Sequence, residues 1–312
     1  MHRHRRVGLT LMIAASTLAV ARAQTSSVSI PAWVEESRCG AAPKFAAMLN
    51  GKSAAVTAQL GPGSDQIILA VLDLTGDLEL ANAARQALRE QVLKLPPNAW
   101  VGLLRDPDGL HVMADPSPDR KPLLEAVANL TIIGKPGLFE TVIPALTLAD
   151  GVMRKSPVRV SVLYITDSNI YSYREDYTNP VINESDYHDL SRVFPDALIQ
   201  DKTSKLAAAA SGLEAPLFIV HTSYRGDTLN KSYQNGLLRL AEATGGKGQL
   251  CVSVGEIPDA IAAAFARICN SWRVTLEVPA KFHSNAQIRL AAPCGGQDAR
   301  LSWRMYLHPK EG

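Results

Sequence analysis

Residues 66–74 read QIILAVLDL, and this stretch decides the fold. Between Gln66 and Asp73 every side chain is apolar, over a length that suits one strand. A half-exposed strand would alternate apolar with polar residues. An unbroken apolar run is the pattern of a strand buried on both faces. Directly after it, Leu80, Ala84, Leu88, Val92 and Leu95 recur at helical spacing until Pro96-Pro97 stops the helix. A buried strand feeding an amphipathic helix is the unit from which parallel sheets are built.

Working outward, WVGLLR and LHVMAD flank Asp106-Pro107-Asp108-Gly109, a turn-forming tetrapeptide between two strands. Helical segments follow near Pro122–Leu130 and Leu138–Met153. VRVSVLYIT (158–166) and PLFIVHT (216–222) are further buried strands. Helices are expected near Lys202–Ala210, Leu229–Ala243 and Ile257–Ile268, with a short strand at Gln249–Val254. The expected architecture over residues 65–271 is α/β: a doubly wound, mostly parallel sheet with helices on both faces. Residues 24–64 and 272–312 read differently, with an Asn50-Gly51 turn in the first and alternation in WRVTLEV and QIRLAA in the second. They are expected as small β flanks at the two ends.

The chain opens with MHRHRR, continues apolar from Val7 to Val20, and reaches Ala21-Arg22-Ala23 before Gln24. Basic start, apolar core and small-x-small end make a secretory signal peptide, expected to be cleaved after Ala23. The apolar run falls short of the ~20 residues that span a bilayer, so no membrane span is expected after cleavage. The expected location is secreted or periplasmic. Removing residues 1–23, with four arginines and no acid, leaves 28 basic against 30 acidic side chains. No basic stripe points to nucleic acid.

Export leads to an oxidising compartment, where cysteines pair. Of three possible pairings of Cys39, Cys251, Cys269 and Cys294, the expected one joins Cys251 to Cys269, tying the last strand to its helix. Cys39 with Cys294 would then tie the two β flanks together.

In an open parallel sheet, ligands bind beyond the carboxyl ends of the strands. Two strands end there in acids and hydroxyls: Asp73-Leu74-Thr75-Gly76-Asp77 and Thr166-Asp167-Ser168-Asn169. Hard oxygen donors converging on one rim suit magnesium or calcium. The segment after Asp167 adds Tyr171, Tyr173, Tyr177 and Tyr187 among several acids. Tyrosines offer apolar area and a polar handle together, as protein interfaces favour. There is no G-x-S-x-G and no H-E-x-x-H. His221, at the end of a buried strand, reads as a structural histidine.

DLTGD after a buried strand resembles the metal-ion-dependent adhesion site of von Willebrand factor A domains, in which the motif is D-x-S-x-S. GKPGLFETVIPAL (134–146) is similar to the family's second loop, VLYITDS (162–168) to its V-L-L-T-D-G, and residues 243–265 to its last strand and helix. The resemblance covers roughly Asp65 to Ser271, and the flanks look like those of bacterial secreted relatives. It implies a Mg2+ or Ca2+ site at Asp73, Thr75, Asp77 and Asp167, in degenerate form. Asp77 stands where the motif has its second serine, and Pro136 where it has the threonine of the second loop.

The function expected is an exported binding module that recognises a protein partner through the strand-end rim, with Tyr171, Tyr173, Tyr177 and Tyr187 as contact residues. Two rivals remain: a metal-dependent hydrolase using the rim carboxylates, and a structural envelope protein with an inactive metal site.

Overall fold

The computed structural model describes residues 25–36, 42–106, 109–134, 136–170, 195–280, 285–294 and 297–308. The expected signal peptide, Cys39 and the four tyrosines between 171 and 187 lie outside the described residues.

The central sheet holds β5 (Gln66–Asp73), β6 (Ala99–Arg105), β7 (His111–Ser117), β8 (Arg159–Thr166), β9 (Leu217–His221) and β10 (Gly248–Leu250), in the order β10-β9-β8-β5-β6-β7. All neighbours run parallel except β7, which returns antiparallel beside β6. The hairpin around residues 106–109 thus forms the antiparallel edge. β10 is shorter than the expected strand, because from Cys251 the chain turns into a 3-10 turn at Val254–Glu256. Along β5, Ile68, Ala70 and Leu72 face one layer, and Ile67, Leu69 and Val71 face the other. That division is why the run is apolar without alternation. Helices α1 (Leu78–Lys94), α2 (Lys121–Ala128) and α6 (Ile257–Cys269) cover the first layer. Helices α3 (Leu138–Lys155), α4 (Pro195–Ser211) and α5 (Thr228–Ala243) cover the second.

The two flanks form one body. Strands β1 (Thr25–Glu36), β2 (Ala46–Leu49), β3 (Lys52–Ala54) and β4 (Val56–Leu60) precede the central sheet. After it come β11 (Ser271–Pro279), β12 (Ala286–Ala291), the short pair β13 (Pro293–Cys294) and β14 (Gln297–Asp298), β15 (Arg300–Trp303) and β16 (Tyr306–Leu307). β1 lies antiparallel to β11 from Thr25 opposite Pro279 to Trp33 opposite Ser271. One sheet runs β15-β1-β11-β4 and a second runs β16-β12-β2-β3. Ile30, Val274 and Leu276 of the first pack on Ala47, Ile288 and Leu290 of the second, giving a sandwich with its own core. Asn50 (φ 50°) and Gly51 (φ 78°) turn β2 into β3 with the positive φ values that a two-residue hairpin needs. β4 pairs with β11, Leu60 opposite Arg273, so the central module is inserted between two neighbouring strands.

Buried and half-buried arginines from both modules weld the joint. The last carbonyls of a helix have no partner within it and carry the negative end of its dipole. Arg304, beside β16, donates to the carbonyls of Ser211 and Leu213 at the end of α4. Arg273, on β11, donates to Met153 in the last turn of α3 at 3.2 Å and to Val158 at 2.7 Å. Arg159, opening β8, donates to Cys269 at the end of α6 at 3.2 Å and to Pro62 at 3.0 Å. Burial lowers Arg159 and Arg304 to about 10, so both stay charged at neutral pH.

Cys251 and Cys269 are not joined; both are free thiols. Cys251 sits where β10 ends, its N–H bonded to the His221 carbonyl at 2.8 Å. Cys269 ends α6, whose 13 residues carry the chain back across the sheet. At 1.5 Å per residue that is about 20 Å, whereas a disulfide needs Cα atoms roughly 4.4–6.8 Å apart. Cys251 precedes the helix and Cys269 ends it, so the length of the helix lies between the two thiols. The expected partner pair, Cys39 with Cys294, involves a residue outside the described ones.

Candidate functional site

The sheet starts in its middle with β5, builds to one edge through β6 and β7, then crosses to β8 and builds to the other. The loops after β5 and β8 therefore depart in opposite directions, and a crevice opens between them at the carboxyl ends. Asp73 ends β5 and Asp167 follows β8, opposite each other across this switch point.

Asp73 has no exposed surface. Its Oδ2 accepts from Thr166 Oγ1 at 2.9 Å, while Oδ1 has no hydrogen-bond partner. Burial, and then the neighbouring Asp106 carboxylate, push its pKa well above the ordinary aspartate range. The hydroxyls of Thr166, Ser168 and Tyr233 continue behind it as a chain, each link 2.7 Å. His221 holds the same loop: its Nδ1 accepts from the Ser223 N–H at 3.2 Å, which leaves Nε2–H to donate to the Ser168 carbonyl at 2.7 Å. Burial lowers the imidazole to about 4, so it is neutral there, in the structural role expected of it.

Two of the other expected ligands, Asp77 and Asp167, are engaged elsewhere. Asp77 is the N-cap of α1, its Oδ1 accepting from Glu79 N at 2.7 Å and Leu80 N at 3.4 Å. Asp167 accepts three backbone N–H bonds, from Thr75 (2.9 Å), Gly76 (2.8 Å) and Asp77 (3.1 Å). Thr75 is half-buried in the same loop. Pro136 is buried and brings no side-chain oxygen. As placed, these groups do not gather several free oxygen donors around one point, as a hard divalent cation requires even when water completes its shell. Among the described residues, no group of three or more His, Cys, Asp or Glu side chains is arranged to hold a metal ion.

Another rim acid escaped the sequence reading. Asp106 directly follows β6 and is fully buried. Its Oδ2 accepts from Thr141 Oγ1 at 2.7 Å and from the Tyr164 hydroxyl, and its Oδ1 has no partner. Burial raises its pKa and these two hydrogen bonds oppose the rise. The signal was present: three buried strands each run into an aspartate. Asp106 also opens a turn tetrapeptide, which explained it without a site. Thr141 lies five residues beyond the position that the motif assigns to a threonine, and its hydroxyl serves Asp106.

Four large apolar side chains are exposed at this end of the sheet: Leu78 (59%) opens α1, Ile133 (77%) lies between α2 and α3, Tyr224 (39%) follows β9 and Val252 (73%) follows β10.

The fold is von Willebrand factor A-like: a doubly wound sheet with one antiparallel edge strand, and aspartates at the switch point. No protein-family model matches the chain, and no curated protein does. Solved structures resemble it at low identity. One is a von Willebrand factor type A structure from Catenulispora acidiphila, 12% identical, with 90% of this chain and 73% of that one covered and a TM-score of 0.44. The PilB minor pilin from Streptococcus sanguinis is 11% identical over 69% of this chain and 63% of its own, with a TM-score of 0.46. The BatB protein from Bacteroides thetaiotaomicron is 14% identical over 66% of this chain and 98% of its own, with a TM-score of 0.41. These likenesses concern the fold alone. Among the described residues no helix is long and apolar enough to cross a membrane.

Proposed function

We propose that this chain is an exported binding module that recognises a protein partner through the strand-end rim. The observation that carries this reading is the exposure of Leu78, Ile133, Tyr224 and Val252 at that rim. Large apolar side chains held in water at one end of the sheet gain free energy when a partner covers them. The opposite end of the sheet is already covered by the β-sandwich, which leaves the rim as the end open to a partner. Ile170, the last described residue before the tyrosine-rich segment, is also at the rim, its N–H bonded to Asn230 Oδ1 at 3.0 Å. Tyr171, Tyr173, Tyr177 and Tyr187, which follow it in the sequence, are contact residues in this reading. Export rests on the basic, apolar and Ala-x-Ala order of residues 1–23.

The test is site-specific photocrosslinking in living cells. A crosslinking residue replaces Val252 or Leu78 at the rim, or Met48 on the exposed face of the sandwich. Adducts to another protein are expected from the rim positions and not from Met48. Equal adducts from both ends, or none from the rim, overturn the reading. The exported protein should begin at Gln24 on N-terminal sequencing; retention of Met1 refutes export by this route.

A further inference from the structure

Three consecutive backbone N–H groups, those of Thr75, Gly76 and Asp77, point at one carboxylate, that of Asp167. The run leads straight into α1, for which Asp77 is the N-cap. Successive amides turned toward one point form an anion nest, and the positive end of the helix dipole reinforces it. Such a nest ordinarily receives an anion from outside. Here the anion belongs to the chain and comes from the loop after β8. The fit is close: a Cβ at Gly76 would lie 3.3 Å from Asp167 Oδ2, so a larger residue would crowd the carboxylate. The Asp167 N–H in turn donates to the Asp73 carbonyl at 3.2 Å, so the two loops hold each other in both directions.

The charges decide what this place can host. A cation on Asp167 would share its oxygens with three N–H groups whose positive ends already face them. It would also meet the positive end of α1. Repulsion from the amides and the occupation of three of the carboxylate's four or so acceptor sites both act against it.

We propose that Asp167 is the built-in anion of this nest, a latch that joins the loops after β5 and β8 and keeps the rim in shape without a divalent cation. The inference goes beyond partner recognition and stands whether or not a partner is found.

The test is thermal unfolding of the exported protein, as wild type, Asp167→Asn and Asp167→Ala. Wild type should keep the same midpoint in EDTA, magnesium, calcium and manganese. Asp167→Ala should unfold several degrees lower. Formate, which is the excised carboxylate, should restore part of that loss where chloride at equal ionic strength does not, and should leave wild type unmoved. Asp167→Asn, which keeps the shape and loses the charge, should fall between. A saturable rise of the wild-type midpoint with any of the cations, absent in Asp167→Asn, overturns the proposal. So does an Asp167→Ala protein as stable as wild type. If Asp167→Ala does not fold, calorimetric titration of wild type with each cation decides: binding heat refutes the latch, and its absence upholds it.

Discussion

Trp33 and Arg267 hold each other twice. The indole Nε1–H donates to the Arg267 carbonyl at 2.7 Å, and the Arg267 guanidinium lies 4.3 Å from the centre of the indole ring. Trp33 belongs to β1 of the sandwich and Arg267 to the last turn of α6, so the pair ties the two modules. Trp33 also meets Phe218 of β9 edge-on, with ring centres 6.2 Å apart. A residue from the start of the described chain thus completes the core of the inserted module.

Trp33→Phe should therefore destabilise the whole protein. It removes the hydrogen bond to a helix-end carbonyl and part of a buried ring, a loss of about 2 kcal/mol, while Trp33→Ala should cost about 4 kcal/mol. Urea unfolding, followed by fluorescence and by far-ultraviolet circular dichroism, measures both. The two probes should report one transition, because the joint makes the modules a single cooperative body.

Arg304→Met keeps the aliphatic stem and removes the donors to Ser211 and Leu213. Two buried carbonyls are left unpaired at the end of α4, at a cost of about 3 kcal/mol. Limited proteolysis should cut the variant after α4 at a protease concentration that leaves wild type intact. Equal resistance would mean that the arginine adds little to the joint.

His221 gives the protein an acid-sensitive element. Its folded pKa is lowered to about 4 by burial, against about 6.5 in an unfolded chain. Between these values the unfolded chain binds the extra proton, so stability falls as pH falls. The contribution is complete above pH ~6.5 and is lost progressively toward pH ~4, about 3 kcal/mol in all. Asp73, with its raised pKa, acts in the opposite direction over acid pH. Comparison with His221→Gln isolates the histidine: between pH 7 and 4, wild type should lose about 3 kcal/mol more than the variant.

Cys251 and Cys269 should remain thiols in the native protein, with different reactivities. Cys251 is fully buried and burial raises its thiol to about 11, while Cys269 is half-exposed. A maleimide should label Cys269 slowly and Cys251 only after unfolding, as read by peptide mass spectrometry. A Cys251–Cys269 peptide in unreduced digests would contradict the placement of Cys251 before α6 and Cys269 at its far end.

The sequence by itself determined the central sheet and its helices, because their signals are local. An apolar run such as 66–74 admits only a strand covered on both faces, and helical spacing with Pro96-Pro97 behind it fixes where α1 must stop. The aspartates at the strand ends were legible for the same reason. Tertiary structure alone decided what those aspartates do. Whether Asp167 faces a cation or three backbone N–H groups depends on a loop ninety residues earlier in the chain, and no local pattern records that distance. Asp106 was hidden because a turn explained it equally well. The β-sandwich was hidden as a unit, since β1 and β4 are separated from their partner β11 by the whole inserted module, and Leu60 meets Arg273 only in the folded chain. Strand pairing between distant segments is a matter of which edges the fold leaves side by side, and that is settled by packing rather than by the residues in either strand.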